Sequence, residues 1–241
     1  AQISDLPVVS VWLQISPFGS SSGRVILINY LHSCRVLSNL DLPIVCEKAG
    51  VIGLALLGFG GISGIENGVS SGESFNFGNL KNQRGSFGGG PPSRVYIPDL
   101  ASFVLTKYAN DLFSVQGMKQ FGCKNTTCCK KGIADMVGPN RRRHFVKHRL
   151  NEVGTLTGAP DSHRHEIYLD TFLRPVTDRI VRATGFKGLP DVLEKRLLKE
   201  RKKLEGWRNT LTSPQMLATD PPKTCLFPRK VVGFSALAVG Q

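Results

Sequence analysis

This 241-residue chain has no uninterrupted apolar run near the roughly 18 residues that a membrane span needs. The longest candidate, Val51 to Phe59, is about half that length and contains two glycines, so no membrane partner is expected. Nothing near the start has the charged-then-apolar form of a secretory leader. HExxH and P-loop motifs are also lacking, which removes the commonest zinc peptidases and P-loop nucleotidases. No internal repeat is evident. Ala1 rather than Met stands first, and the expectation is a processed start or the later part of a longer chain.

Carboxylates are the scarcer charge, 18 Asp and Glu against 31 Lys and Arg. The imbalance is local. Residues 1 to 80 hold Arg24, Arg35 and Lys48 against Asp5, Asp41, Glu47, Glu66 and Glu73, so essentially all of the formal +13 belongs to the remainder. A near-neutral, glycine-rich first third is thus joined to a strongly basic rest, and a field of that kind attracts polyanions, of which RNA and DNA are the commonest inside a cell. A solvated basic face without a specific partner is the plainer alternative. The six cysteines are too few and too unevenly spaced to staple a chain this long, which points to a reducing, cytoplasmic compartment.

The apolar pattern predicts a strand within residues 7–16, a helix over 24–40 and a strand over 43–46; VIGLALLGFGG fits a short buried helix or a strand, and helix is preferred because the apolar run ISGIENGV follows it as the next strand. That alternation is the pattern of parallel α/β construction. Residues 78–93, GNLKNQRGSFGGGPPS, are a loop by composition, followed by a strand over 94–97 and a helix over 99–113 with Asp99 as cap. Helices are further expected over 141–156, 165–184 and 189–207, the last with a stripe of Leu193, Leu197 and Leu204. This divides the chain into a partial (β/α) barrel over 1–118, a cysteine-containing basic helical subdomain over 119–210 and an irregular tail over 211–241.

GFGGISG at 58–64 superficially contains a dinucleotide fingerprint. The required order is strand, glycines, helix; here the order is helix, glycines, strand, so Gly58, Gly60 and Gly61 are read as a turn. The strand after them delivers Glu66, Asn67, Ser70, Ser71 and Glu73 to a loop where chemistry gathers in parallel barrels, and Glu66 and Glu73 are the candidate catalytic acids or bases.

The densest chemistry lies between Gly122 and Arg149. Cys123, Cys128 and Cys129 fall within seven residues, and His144 and His148 follow one turn apart on a helix. Zinc takes four such ligands in a tetrahedron, and either histidine suits the fourth position, with His148 preferred. Another metal or a redox use, and burial of the thiols for packing, are the alternatives. Lys130, Lys131, Arg141, Arg142, Arg143, Lys147 and Arg149 surround these ligands and are the candidate nucleic-acid contacts. The arginines at the start of a helix oppose its dipole unless a phosphate offsets them.

Strand and helix units, then a cysteine loop, then a basic histidine-bearing helix resemble the later half of the tRNA-guanine transglycosylases and the related barrels that place deazaguanines in DNA. The resemblance covers about residues 43 to 160. It implies a (β/α)8 barrel with a structural zinc subdomain, binding RNA or DNA and exchanging a purine base through a carboxylate nucleophile, a glycosyltransferase activity. The family's zinc motif is CxCxxC followed by a distant His: Cys123 matches the first cysteine and Cys128 the third, while Asn125 stands at the second and Cys129 takes its place. No catalytic aspartate is carried over. The expectation is therefore an α/β protein comprising the C-terminal part of a TIM-barrel-like parallel (β/α) domain followed by a basic, mostly helical extension. The competing expectations are a barrel enzyme acting on a small phosphorylated metabolite and a non-catalytic nucleic-acid-binding or scaffold protein.

Overall fold

The computed structural model describes residues 8–16, 18–19, 22–67, 74–75 and 93–217. Glu73, Ser70, Ser71, nearly all of the 78–93 loop and the tail beyond 217 lie outside the described residues.

Three strands, β1 (Val11–Leu13), β3 (Ile44–Glu47) and β4 (Gly64–Glu66), form a parallel sheet in the order β1-β3-β4. The strand expected within 7–16 is only three residues long, with Trp12 on its exposed face. A separate two-residue antiparallel pair joins β2 (Phe18–Gly19) to β5 (Ser74–Phe75). The two crossovers of the parallel sheet are α1 (Arg24–Leu37) and α2 (Val51–Gly58). Helix α1 buries Leu27, Tyr30, Leu31 and Cys34, recurring at three- and four-residue spacing, and exposes Val25 and Val36. Helix α2 is apolar all round and every residue in it is buried, the condition for a helix at the centre of a domain. Gly58 is its last residue, where a Cβ would lie 2.7 Å from the Cβ of Tyr168 and a glycine is therefore required, and Gly60, at φ 68°, makes the turn toward β4.

The expected third strand and helix unit is corrected by the structure. Strand β6 (Arg94–Ile97) pairs antiparallel with β7 (Ser102–Leu105), and the helix α3 (Thr106–Ser114) begins seven residues later than the expected start at Asp99. Pro98–Leu100 form a single tight turn, and Ala101 at φ 43° reverses the chain so that Phe103 and Val104 enter the core as strand residues. No closed barrel is formed among the described residues; the parallel part is the three-stranded sheet.

Helices dominate the remainder: α4 (Ile133–Val137), α5 (Arg141–Thr157), α6 (Asp161–Ile167), α7 (Arg174–Thr184), α8 (Asp191–Leu211) and a final turn α9 (Pro214–Leu217). Between α6 and α7 the helix widens into a π segment, Tyr168–Leu173. Pro175 follows it. Lacking an N–H and crowding the carbonyl four residues back, proline opens the helical ladder just upstream. Helix α8 buries the expected Leu193, Leu197 and Leu204 together with Trp207 and Leu211. Helix α2 packs against α5, α6 and the π segment, so the sheet layer and the helical half share one core.

Candidate metal centre

Cys123, Cys128, Cys129 and His144 present ligand atoms that all lie within 4.8 Å of one another. The loop achieves this through Asn125. Its side-chain Oδ1 accepts from the backbone N–H of Thr127 (3.0 Å) and Cys128 (3.1 Å), and its carbonyl accepts from Cys128 (3.0 Å) and Cys129 (2.8 Å). Two adjacent cysteines can face one centre only across a sharp bend, and Asn125 supplies it. The residue that breaks the resemblance's cysteine motif is thus the one that folds this loop.

On the opposite side His144 is buried on the first turn of α5. Its Nε2 lies 3.0 Å from the Tyr96 carbonyl of β6. A carbonyl only accepts, so Nε2 carries the proton and donates, and Nδ1 turns its lone pair to the sulfurs of Cys129 (3.3 Å) and Cys128 (3.5 Å). The two sulfurs stand 3.7 Å apart. A tetrahedral zinc with bonds of about 2.3 Å to sulfur and 2.0–2.1 Å to nitrogen has edges of about 3.8 Å between sulfurs and about 3.6 Å from sulfur to nitrogen. These pairs have close to that spacing.

The electrostatics also suit a dication. Burial, then the neighbouring His148, lowers the His144 pKa to about 4, which keeps the imidazole neutral and able to ligate. Burial pushes the Cys128 and Cys129 thiols above their ordinary value, with Cys123 adding to both. Without a cation the Cys128 and Cys129 thiols hold their protons; a bound dication reverses that preference. The donor set and its spacing fit structural zinc.

Of the sequence-derived ligands, Cys123, Cys128 and Cys129 are brought together. The histidine of the mutually close set is His144, whereas the preferred His148 reaches only Cys123, with Nε2 3.3 Å from its Sγ. The rings of the two histidines are 4.5 Å apart. The carbonyl of Tyr96 makes the difference, since it fixes the orientation of His144 in the manner of outer-shell partners of metal ligands.

Among the basic candidates Lys130, Lys131, Arg142 and Arg143 are exposed, and Arg141 and Lys147 half-exposed. Lys147 donates from Nζ to Thr127 Oγ1 at 2.7 Å, tying α5 to the cysteine loop. Arg149 is corrected: it is buried, paired with Glu152 at 3.0 Å, and its guanidinium stacks over the Tyr96 and Phe145 rings at 5.2 and 5.4 Å. Tyr96 completes the unit by donating from its hydroxyl to Glu152 Oε1 at 2.9 Å. Arg149 serves the interior rather than a ligand.

Glu66 lies apart from the metal set, half-buried at the C-terminal end of β4. The sheet register places Glu47, the last residue of β3, directly opposite it. The Lys48 N–H donates to the Glu66 carbonyl (2.9 Å) and faces Glu66 Oε2 at 3.4 Å, while Asn67 Oδ1 accepts from the Gly50 N–H (3.0 Å). Beneath them Cys46 is pushed up to about 12 by burial, with both carboxylates adding, and its sulfur is 2.8 Å from the Tyr30 hydroxyl. Sequence reading named Glu66 as a candidate and not Glu47, although an acidic residue closing an apolar strand was a usable signal for the pairing seen here. No protein-family model matches the chain, and no curated protein or solved structure matches it.

Proposed function

We propose that this chain is a zinc-stapled nucleic-acid-binding protein of transglycosylase-like type. The observation that carries the reading is that the same four ligands would fasten two basic segments together. Cys123, Cys128 and Cys129 belong to the loop that bears Lys130 and Lys131; His144 belongs to the helix that bears Arg141, Arg142, Arg143 and Lys147. Exposed cations at a helix start gain most when an anion joins the free N–H groups there, and polynucleotide phosphate is such an anion. Residues 43–66, two parallel strands joined by a buried helix, have the repeating form of a (β/α) barrel, and this supports the barrel part of the proposal.

The test is binding to RNA and DNA across a salt series. Expected is a steep fall of affinity with salt, and a slope reduced by about 2 when Arg142 and Arg143 are both changed to Gln. A flat salt dependence overturns the reading.

A second, catalytic reading rests on Glu47 and Glu66 at the C-terminal ends of adjacent parallel strands, the place where α/β proteins assemble their chemistry. In base exchange one carboxylate attacks the sugar carbon as the purine leaves, and a second group moves the proton that the departing base requires. Glu66→Gln is expected to abolish incorporation of labelled guanine into RNA or DNA while leaving binding intact. If the unsubstituted protein incorporates none from any purine supplied, this reading falls and the non-catalytic one stands.

A further inference from the structure

A second polar feature lies beside the metal loop. Asp99, Gln120, Phe121, Lys124, Arg179 and Arg182 line a cleft of about 380 Å3, within the size range of small-molecule sites. Its walls come from the Pro98–Leu100 turn, which packs on both the Met118–Phe121 turn and helix α7, and from the start of the cysteine loop at Lys124. Phe186, just beyond α7, packs against Phe121 with ring centroids 6.4 Å apart, which holds the two sides in register.

The charges of the cleft are placed rather than scattered. Arg179 and Arg182 are three residues apart on α7 and so share a face. Arg179 is held by Asp99 at 3.1 Å, with both side chains about one-third exposed. Lys124 enters from the residue directly after the ligand Cys123, and the Gln120 side-chain amide is anchored on the Gly117 carbonyl at 2.9 Å. Three cations face one carboxylate, leaving two positive charges unmatched within the cleft. A planar guanidinium can donate two parallel N–H bonds to two phosphate oxygens, and a phosphate monoester carries close to two negative charges at neutral pH.

We propose that this cleft binds a phosphate monoester, carried by a free nucleoside monophosphate or by the 5′ end of a strand. The site is separate from the Arg142 and Arg143 face and does not need that face to bind polynucleotide. Because Lys124 adjoins a metal ligand, the metal loop presets one wall of it.

Calorimetric titration of the full, zinc-loaded chain with inorganic phosphate and with a nucleoside 5′-monophosphate tests the site, alongside oligonucleotides of one sequence with and without a 5′-phosphate. Expected is saturable binding of the phosphomonoesters, weakened at least tenfold by Lys124→Gln with Arg182→Gln, with zinc content and melting temperature unchanged. If the nucleotide binds as tightly as the phosphorylated strand, the source is the free nucleotide; if the 5′-phosphate raises strand affinity above both, the source is the strand end. Either supports the site. Absence of saturable binding for every phosphomonoester, or equal affinity in the double variant, overturns it. Loss of strand binding in the Arg142 and Arg143 variant with phosphomonoester binding retained would affect only the polynucleotide reading.

Discussion

The parallel sheet with its crossover helices and the cysteine loop with α5 are held together by different means. In residues 24–66 the fastening is apolar: Leu27, Cys34, Cys46, Ile52, Ala55, Leu56 and Leu57 are fully buried, and α2 has no polar side chain at all. In residues 118–157 polar links are added to an apolar interior that includes Met118, Phe121, Met136, Phe145 and Leu156: four groups placed to hold a metal, the Asn125 bend and the pairing of Arg149 and Glu152 with Tyr96. Apolar interiors are tolerant of swaps that conserve volume. Buried thiols, imidazoles and ion pairs are not, because removing one member leaves the others desolvated and unpaired.

The largest expected effect breaks this contrast directly. Chelation of zinc from the reduced protein should lower the melting temperature by about 10 °C or more, since structural zinc supplies several kcal/mol of folding free energy at roughly 2–4 °C per kcal/mol for a chain of this size. His144→Ala should weaken zinc binding by about a hundredfold, and His148→Ala by less than about tenfold, as a competitive zinc-chelator titration would show. Equal losses would mean that the two imidazoles share the position.

Next comes Arg149→Ala, expected to cost about 3–5 kcal/mol in denaturant unfolding by stranding Glu152. Leu56→Ala should cost about 2–5 kcal/mol through the cavity it leaves in α2, and its effect should add to that of chelation if the two regions are fastened independently. A large non-additive term would show one shared fastening.

The smallest effect concerns the thiols of the apolar region. Burial pushes both Cys34 and Cys46 up to about 12. The fold therefore favours the neutral thiols: their contribution is whole below about pH 8.5, the unfolded value, and declines as pH rises toward 12. Native protein at pH 8 should leave both unalkylated, while Cys123 reacts once zinc is removed. Rapid labelling of Cys46 would show that the apolar region opens readily.

These contrasts also explain what could be read from the residues. The order strand, helix, strand, helix, strand over 11–66 was legible because α1 has a helical apolar period, the all-apolar run of α2 is followed by a further apolar run that serves as the next strand, and the glycines at 58, 60 and 61 mark the turn. The hairpin at 94–105 was not, because Leu100, Phe103 and Val104 also fit a helical face, and the reversal depends on a non-glycine residue, Ala101, at positive φ. The three thiols were legible from their crowding. The choice between His144 and His148 was not, since both lie on one helical face and the deciding group is a backbone carbonyl 48 residues away in β6. Arg149 stood in the same run of cations as Arg142, and only the tertiary partners Tyr96 and Glu152 set it apart.

X-ray absorption at the zinc edge, with metal content measured on the same reduced sample, tests the central claim most directly. The account predicts about one zinc per chain with a first shell of three sulfurs and one nitrogen. Folded protein holding less than about half an equivalent, or a shell dominated by oxygen, would contradict it.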